Sequence, residues 1–182
     1  MTNSPAQPAA RLSPATVPLI DRDMAEIIHQ AKKRAGLFFV ERTTNNQTKL
    51  EVLVDTNQLR NFYEALVQLG MELREIVRTK LKANPSLTED SVKIEKSYSQ
   101  VDRVILLPSK LAWSAARMKG ESAKAATKFY VEVDGIVKSL FEADAENSLN
   151  YARFKRFQQY VETVIIYHKA RKEKVVSKED LM

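Results

Sequence analysis

The chain has 182 residues, enough to bury one core, and its 44% hydrophobic content suits a globular fold. It has no cysteine, which excludes disulfides, thiolate catalysis and zinc–thiolate sites; 29 Lys+Arg against 23 Asp+Glu give a net charge of +6. No apolar run approaches the ~18–20 residues that cross a bilayer, and the opening does not read as a signal peptide, so a cytoplasmic setting without membrane association is expected.

Residues Met1 to Pro18 hold four of the six prolines among Ala, Ser and Thr. Such a segment buries too little apolar surface to offset the entropy of ordering, so residues 1–18 are expected to be a disordered tail. A helical domain is expected over 19–182. Its first helix is predicted from Asp21 to Ala35, with Met24, Ile27, Ile28 and Ala31 on one side, Asp21 as cap and Gly36 as stop.

Between Leu37 and Val54 the short runs LFFV and KLEVLV flank TTNNQ. A loose hairpin and an extended connection over a helical core both fit. The connection is favoured, because two isolated strands are marginal.

Asp55 and Thr56 can cap a long helix to about Ala83, with the stripe Leu59, Phe62, Leu66, Leu69, Leu73, Ile76 and Val77. Asn84-Pro85 ends it. Thr88, Glu89 and Asp90 open a less regular segment carrying Val92, Tyr98, Val101 and Ile105. Pro108 is expected to break or kink the path, and Ser109 to cap a further short helix. Two more helices are predicted. Ser122–Ala143 presents Ala126, Phe129, Tyr130, Val133, Ile136, Val137 and Leu140. Leu149–Lys172 presents Phe154, Phe157, Val161, Val164, Ile165 and His168. The fold class is therefore all-α, a single-domain bundle of about five helices.

Enzyme chemistry has little to stand on. His29 and His168 lack metal-ligand neighbours, with His29 at a polar helix edge and His168 on an apolar stripe. Gly36, Gly70, Gly120 and Gly135 are isolated and form no phosphate loop. Glu142, Asp144 and Glu146 are the densest acidic cluster, read as a solvated turn, with a metal there as the alternative. No catalytic residue, cofactor or metal is expected.

The basic residues are more informative. From Pro108 onward there are 14 Lys+Arg and 10 Asp+Glu, against 14 and 13 from Leu19 to Leu107. A positive surface gains from releasing the counterions of a phosphate polymer. At about 100° per residue, Lys110, Ser114 and Arg117 share one side of SKLAWSAARMKG, bordered by Trp113. Leu107, Leu111, Ala115 and Met118 form a separate core stripe, and Lys119 points elsewhere. For Trp113, packing between helices or subunits is favoured over stacking on an unpaired base. Arg60, Arg74 and Arg78 alternate with Glu64 and Glu75 along the long helix, which weakens a continuous anion track. Lys124 and Lys128 form an i,i+4 pair, and YARFKRF contributes Arg153, Lys155 and Arg156. The final run, HKARKEK, reads as a solvated helix end whose cations complement the helix dipole.

Three landmarks, in order, resemble one family. DTNQLRNFYE, LLPSKLAWSAARMKG and YARFKRFQQYVETVIIYHK are similar to the long-helix entry, the Pro–x–Lys–Leu–aromatic region and the closing helix of the small α-helical subunit of type III-A CRISPR Csm complexes. The likeness spans about Asp55 to Lys172. Trp113 stands where Tyr is usual, and Ala116 where Gly is usual. The resemblance implies a non-catalytic, antiviral subunit that stacks as a filament and partners the other Csm subunits. It also implies support of the guide–target RNA duplex through phosphates, with sequence read by base pairing. On matching positions it implies RNA contact by Arg60, Lys110 and Arg117. Charge placement adds Lys119, Lys124, Lys128, Arg153 and Arg156. The competing reading is a helical protein-interaction adaptor without nucleic-acid binding, in which Trp113 anchors the partner.

Overall fold

A computed structural model describes residues 18–45, 47–141 and 148–181. The expected tail, up to residue 17, and the acidic cluster Glu142, Asp144 and Glu146 lie outside the described residues. Five helices make the frame: α1 (Met24–Gly36), α2 (Thr56–Ala83), α3 (Ser99–Ala116), α4 (Gly120–Ser139) and α5 (Tyr151–Lys172). The all-α expectation holds, with local departures.

The starts of α1, α2 and α5 follow from their caps. The Asp23 carboxylate accepts from the Glu26 amide, Asp55 from Asn57, and Asn150 from Arg153. Each satisfies an amide that the first helical turn leaves unbonded. Asp23 therefore caps α1 in place of the expected Asp21, which sits in a short 3-10 turn, Leu19–Asp21.

The segment after α1 corrects the expectation of an extended connection. Two strands, β1 (Phe39–Thr44) and β2 (Gln47–Val52), pair antiparallel from Phe39↔Val52 to Thr44↔Gln47. Asn45, at φ 53°, adopts the left-handed conformation that suits Asn in a tight hairpin. The bundle supplies what two strands lack alone. Phe38 is fully buried, edge-on to Phe129 at 5.3 Å and to His168 at 5.8 Å, while Phe39 lies 4.8 Å from the His168 ring. The base of the hairpin is thus fixed in the core, while Glu41 to Asn45 and Gln47 to Lys49 are exposed.

At Pro108 the expected break, and with it the Ser109 cap, is corrected. The proline lies inside α3, which continues unbroken from Ser99 to Ala116. Ser109 is no cap; its hydroxyl donates to the Leu106 carbonyl at 2.6 Å. An interior proline costs about 3 kcal/mol, and burial of Val104, Leu107, Pro108, Leu111 and Ala115 on one side opposes that loss. Two short strands, β3 (Lys93–Ile94) and β4 (Leu149–Asn150), pair antiparallel and tie the entry of α3 to that of α5.

Helix α5 packs against α1 and α2, and α3 packs against α2 and α4. Phe129 of α4 reaches Phe62 of α2 at 6.3 Å, so the predicted stripes meet in one core. Arg34 of α1 and Glu132 of α4 form an ion pair, and Glu132 also accepts the Tyr160 hydroxyl of α5 at 2.6 Å. Burial and then the Glu132 charge push Tyr160 well above the ordinary phenol pKa, which keeps it a donor.

Candidate nucleic-acid interface

The basic surface is organised by the α3–α4 corner. Helix α3 ends at Ala116, Arg117 takes the cap position, and α4 begins at Gly120. Gly120 has φ 60°, a conformation glycine reaches without the cost a Cβ would add, and this lets the chain reverse within three residues. Arg117 and Lys119 are held at the bend, both exposed.

The stretch from Val104 to Val131 contains five cations, Lys110, Arg117, Lys119, Lys124 and Lys128, and one carboxylate, Glu121. All five cations are exposed. Glu121 is taken up by Arg42 of β1 at 3.0 Å. Among the described residues, none of the five has an ion-pair partner.

These side chains surround the corner and do not converge on a point. Lys110 lies on the side of α3 that carries Arg103, one heptad earlier, which pairs with Glu72 of α2. Lys124 and Lys128 lie on the opposite flank, with Glu121 facing the hairpin and Glu132 facing α1. Arg117 and Lys119 join the two flanks at the bend. An extended polyanion fits such a distribution better than a compact ligand.

Arg60 sits one turn into α2, at the same end of the bundle, since Lys172 of α5 reaches Thr56 and Arg42 reaches Glu121. It pairs with Glu64 at 2.9 Å, as Arg78 does with Glu75 at 2.7 Å. The alternating charges of α2 therefore cancel locally, as their spacing predicts.

Arg153 and Arg156 lie at the other end of the bundle. Arg153 pairs with Asp21 at 2.7 Å and donates to the Ser139 carbonyl at 3.0 Å; Arg156 donates to the Ile20 carbonyl at 3.3 Å. Both clamp the Leu19–Asp21 turn. Lys155 contacts Glu89 and Asp90. Burial opposes its charge, but hydrogen bonding and attraction from these carboxylates outweigh it and raise its pKa.

His168 is buried, with Nε2 2.9 Å from the Val54 carbonyl, so it is the core histidine its stripe predicts. Burial lowers its pKa, and the hydrogen bond to Val54 only partly offsets this. His29 is exposed, as expected. No group of three His, Cys, Asp or Glu suited to a metal occurs among the described residues.

Trp113 corrects part of its reading. It does not pack between the helices of its own chain: 69% of it is exposed. The Arg117 guanidinium carbon lies 5.8 Å from its ring centroid. Leu106, two turns earlier on the same face, is 61% exposed and was missed from the sequence. Its signal was available, because it falls outside the Leu107–Leu111–Ala115 stripe by helical rotation. The HKARKEK run, expected as a solvated helix end, borders a groove that its sequence does not reveal. Between β2 and the chain after α5 runs this open groove of about 760 Å³, lined in part by Lys49, Arg171, Lys172 and Lys174. Arg171 there is bound to Glu41.

The fold and surface define a class: a helical bundle with a cationic corner and no assembled catalytic constellation among its described residues. A family model described as Csm2 Type III-A matches residues 39–174, about three quarters of the chain. The chain belongs to this family, the small subunit of type III-A CRISPR Csm complexes. The match begins at the hairpin and so takes in a segment that the sequence landmarks left unsupported. Neither the curated proteins nor the solved structures searched contain a match. Among the described residues, no helix is long and apolar enough to cross a membrane.

Proposed function

We propose that this subunit is a non-catalytic support for the guide–target RNA duplex, acting in antiviral defence in the cytoplasm as part of a filament of stacked copies. It holds the RNA by phosphates, without reading sequence, beside the large polymerase-like subunit and the backbone subunits. The observation that carries this reading is the α3–α4 corner, where five exposed cations lack carboxylate partners among the described residues. Unpaired surface cations retain their full attraction for phosphate, whereas one already paired must give up a neighbour.

Lys110, Arg117 and Lys119 are the first contacts, followed by Lys124 and Lys128. Arg60 joins them by exchanging Glu64 for a phosphate. Arg can grip two phosphate oxygens at once, and Lys acts as a mobile point charge. Arg153 and Arg156 come last, because phosphate contact there competes with the Leu19–Asp21 clamp.

The test is RNA affinity against salt concentration, measured on the assembled complex with Lys110→Ala and Arg117→Ala together. Binding of unrelated sequences should weaken alike, and the log–log salt slope should fall by about 1.4–1.8 for two lost contacts. An unchanged slope and affinity would remove both residues from the interface.

A further inference from the structure

We propose that Trp113 stacks on an unpaired nucleobase of RNA whose phosphates are held by Lys110, Arg117 and Lys119. The proposal rests on the RNA-binding reading but adds a contact of a different kind: phosphate support is indifferent to whether bases are paired, whereas an indole can reach only a base outside the duplex stack.

Three observations carry it. Trp113 is the only tryptophan of the chain, and it projects from α3 with 69% of its surface exposed. A buried indole would need no ligand; this one leaves a large apolar face in water. Second, beside the exposed Leu106, its neighbours on α3 and at the bend are the exposed cations Lys110, Arg117 and Lys119, without carboxylate partners among the described residues. The patch therefore combines an aromatic plane with positive charge, the pairing used to bind single strands, since bases stack on the ring while phosphates meet the cations. Third, Arg117 lies 5.8 Å from the ring centroid, close enough for a cation–π contact that limits the ring's orientations. A restrained ring loses less freedom on stacking than a mobile one.

Charge complementarity selects the occupant. A polyanion carrying aromatic bases satisfies the indole and the cations together. A protein partner seated here would have to supply carboxylates beside an apolar anchor.

The chain's single tryptophan makes its emission a direct reporter. The full-length protein would be titrated at low ionic strength with single-stranded oligouridylate, and in parallel with a fully paired RNA duplex. Expected is quenching by the single strand and little by the duplex. Read by the anisotropy of an end-labelled oligonucleotide, since the variants carry no indole, Trp113→Ala should weaken single-strand binding by about 5- to 150-fold, the range for loss of one stacked base. Trp113→Phe should recover most of that loss, and duplex affinity should be unchanged in both variants. Unquenched emission at the highest oligonucleotide concentration, or equal single-strand affinity for Trp113→Ala and wild type, would overturn the proposal. The Lys110→Ala/Arg117→Ala variant separates the two readings. If it weakens both RNAs while Trp113→Ala weakens neither, stacking fails and phosphate support stands. A protein-concentration-dependent blue shift without RNA, with self-association abolished by Trp113→Ala in sedimentation, would assign the indole to a second copy and also overturn stacking.

Discussion

The Arg34–Glu132–Tyr160 junction offers the sharpest test of how the bundle is held together, because it joins α1, α4 and α5 through charges rather than apolar packing. Arg34 and Glu132 retain only 17% and 18% side-chain exposure, so both are largely removed from water. Substituting Glu132→Gln keeps the shape and leaves an acceptor for the Tyr160 hydroxyl. It strips the guanidinium of its counter-charge. Removing one partner from a buried pair costs roughly 3–5 kcal/mol; residual solvent access places this case at the low end, about 3 kcal/mol. For a chain of this length, ~2–4 °C per kcal/mol converts that to a Tm lower by about 6–12 °C. Urea denaturation of Glu132→Gln, Arg34→Met and the double variant would supply the cycle. The double variant should be more stable than the sum of single losses implies by about 2 kcal/mol, since it leaves no orphaned charge. A Glu132→Gln loss below about 1 kcal/mol, or simple additivity, would refute the assignment of the junction as a desolvated pair.

Three further outcomes are expected. His168 has a lowered pKa in the folded state, chiefly from burial, so below the unfolded pKa of about 6.5 the unfolded chain binds a proton that the folded chain resists. Its contribution is intact above that value and is lost as pH falls towards the folded pKa. His168→Gln should flatten the decline in urea midpoint between about pH 7 and 5, a decline limited to about 1.4 kcal/mol per pH unit for one proton. Arg153→Met should cost about 1–2 kcal/mol in urea denaturation through loss of the Asp21 and Ser139 contacts, with a smaller change in RNA salt slope than Arg117→Ala. Phe38→Ala should cost about 3–5 kcal/mol by emptying a fully buried site, and early hydrogen exchange across β1 and β2 would show the hairpin loosened at its base.

The helices were legible because their evidence is local. The stripe Leu59–Phe62–Leu66–Leu69–Leu73 repeats at helical spacing, and Asp55 lies where a cap must lie; both survive intact. The hairpin was misjudged because its stability is borrowed. Nothing within Phe39–Val52 reveals that Phe38 meets Phe129 and His168, contacts made across about 90 and 130 residues of sequence. Pro108 misled for the same reason: the local penalty is real, and the tertiary burial that opposes it belongs to α2 and α4.

The site was legible in a more limited sense. Counting charges located the basic half of the chain, but a count gives every cation equal weight. The structure separates them by what they already touch. Arg153 and Arg156 resemble Lys110 and Arg117 in sequence, each a cation within about one helical turn of an aromatic, yet the first two close the Leu19–Asp21 turn and the latter two face water. The distinction depends on Asp21 and Ile20, more than 130 residues earlier, so no reading of YARFKRF alone could draw it. Availability follows from the same contacts. A cation already bonded to carboxylate or carbonyl must exchange that bond for a phosphate, with a net gain near zero, whereas Lys110 or Lys119 exchanges only water and released counterions. Under the proposed reading, the cations that can meet phosphate without giving up a partner are therefore those of the α3–α4 corner, where Gly120 turns the chain and Trp113 stands exposed.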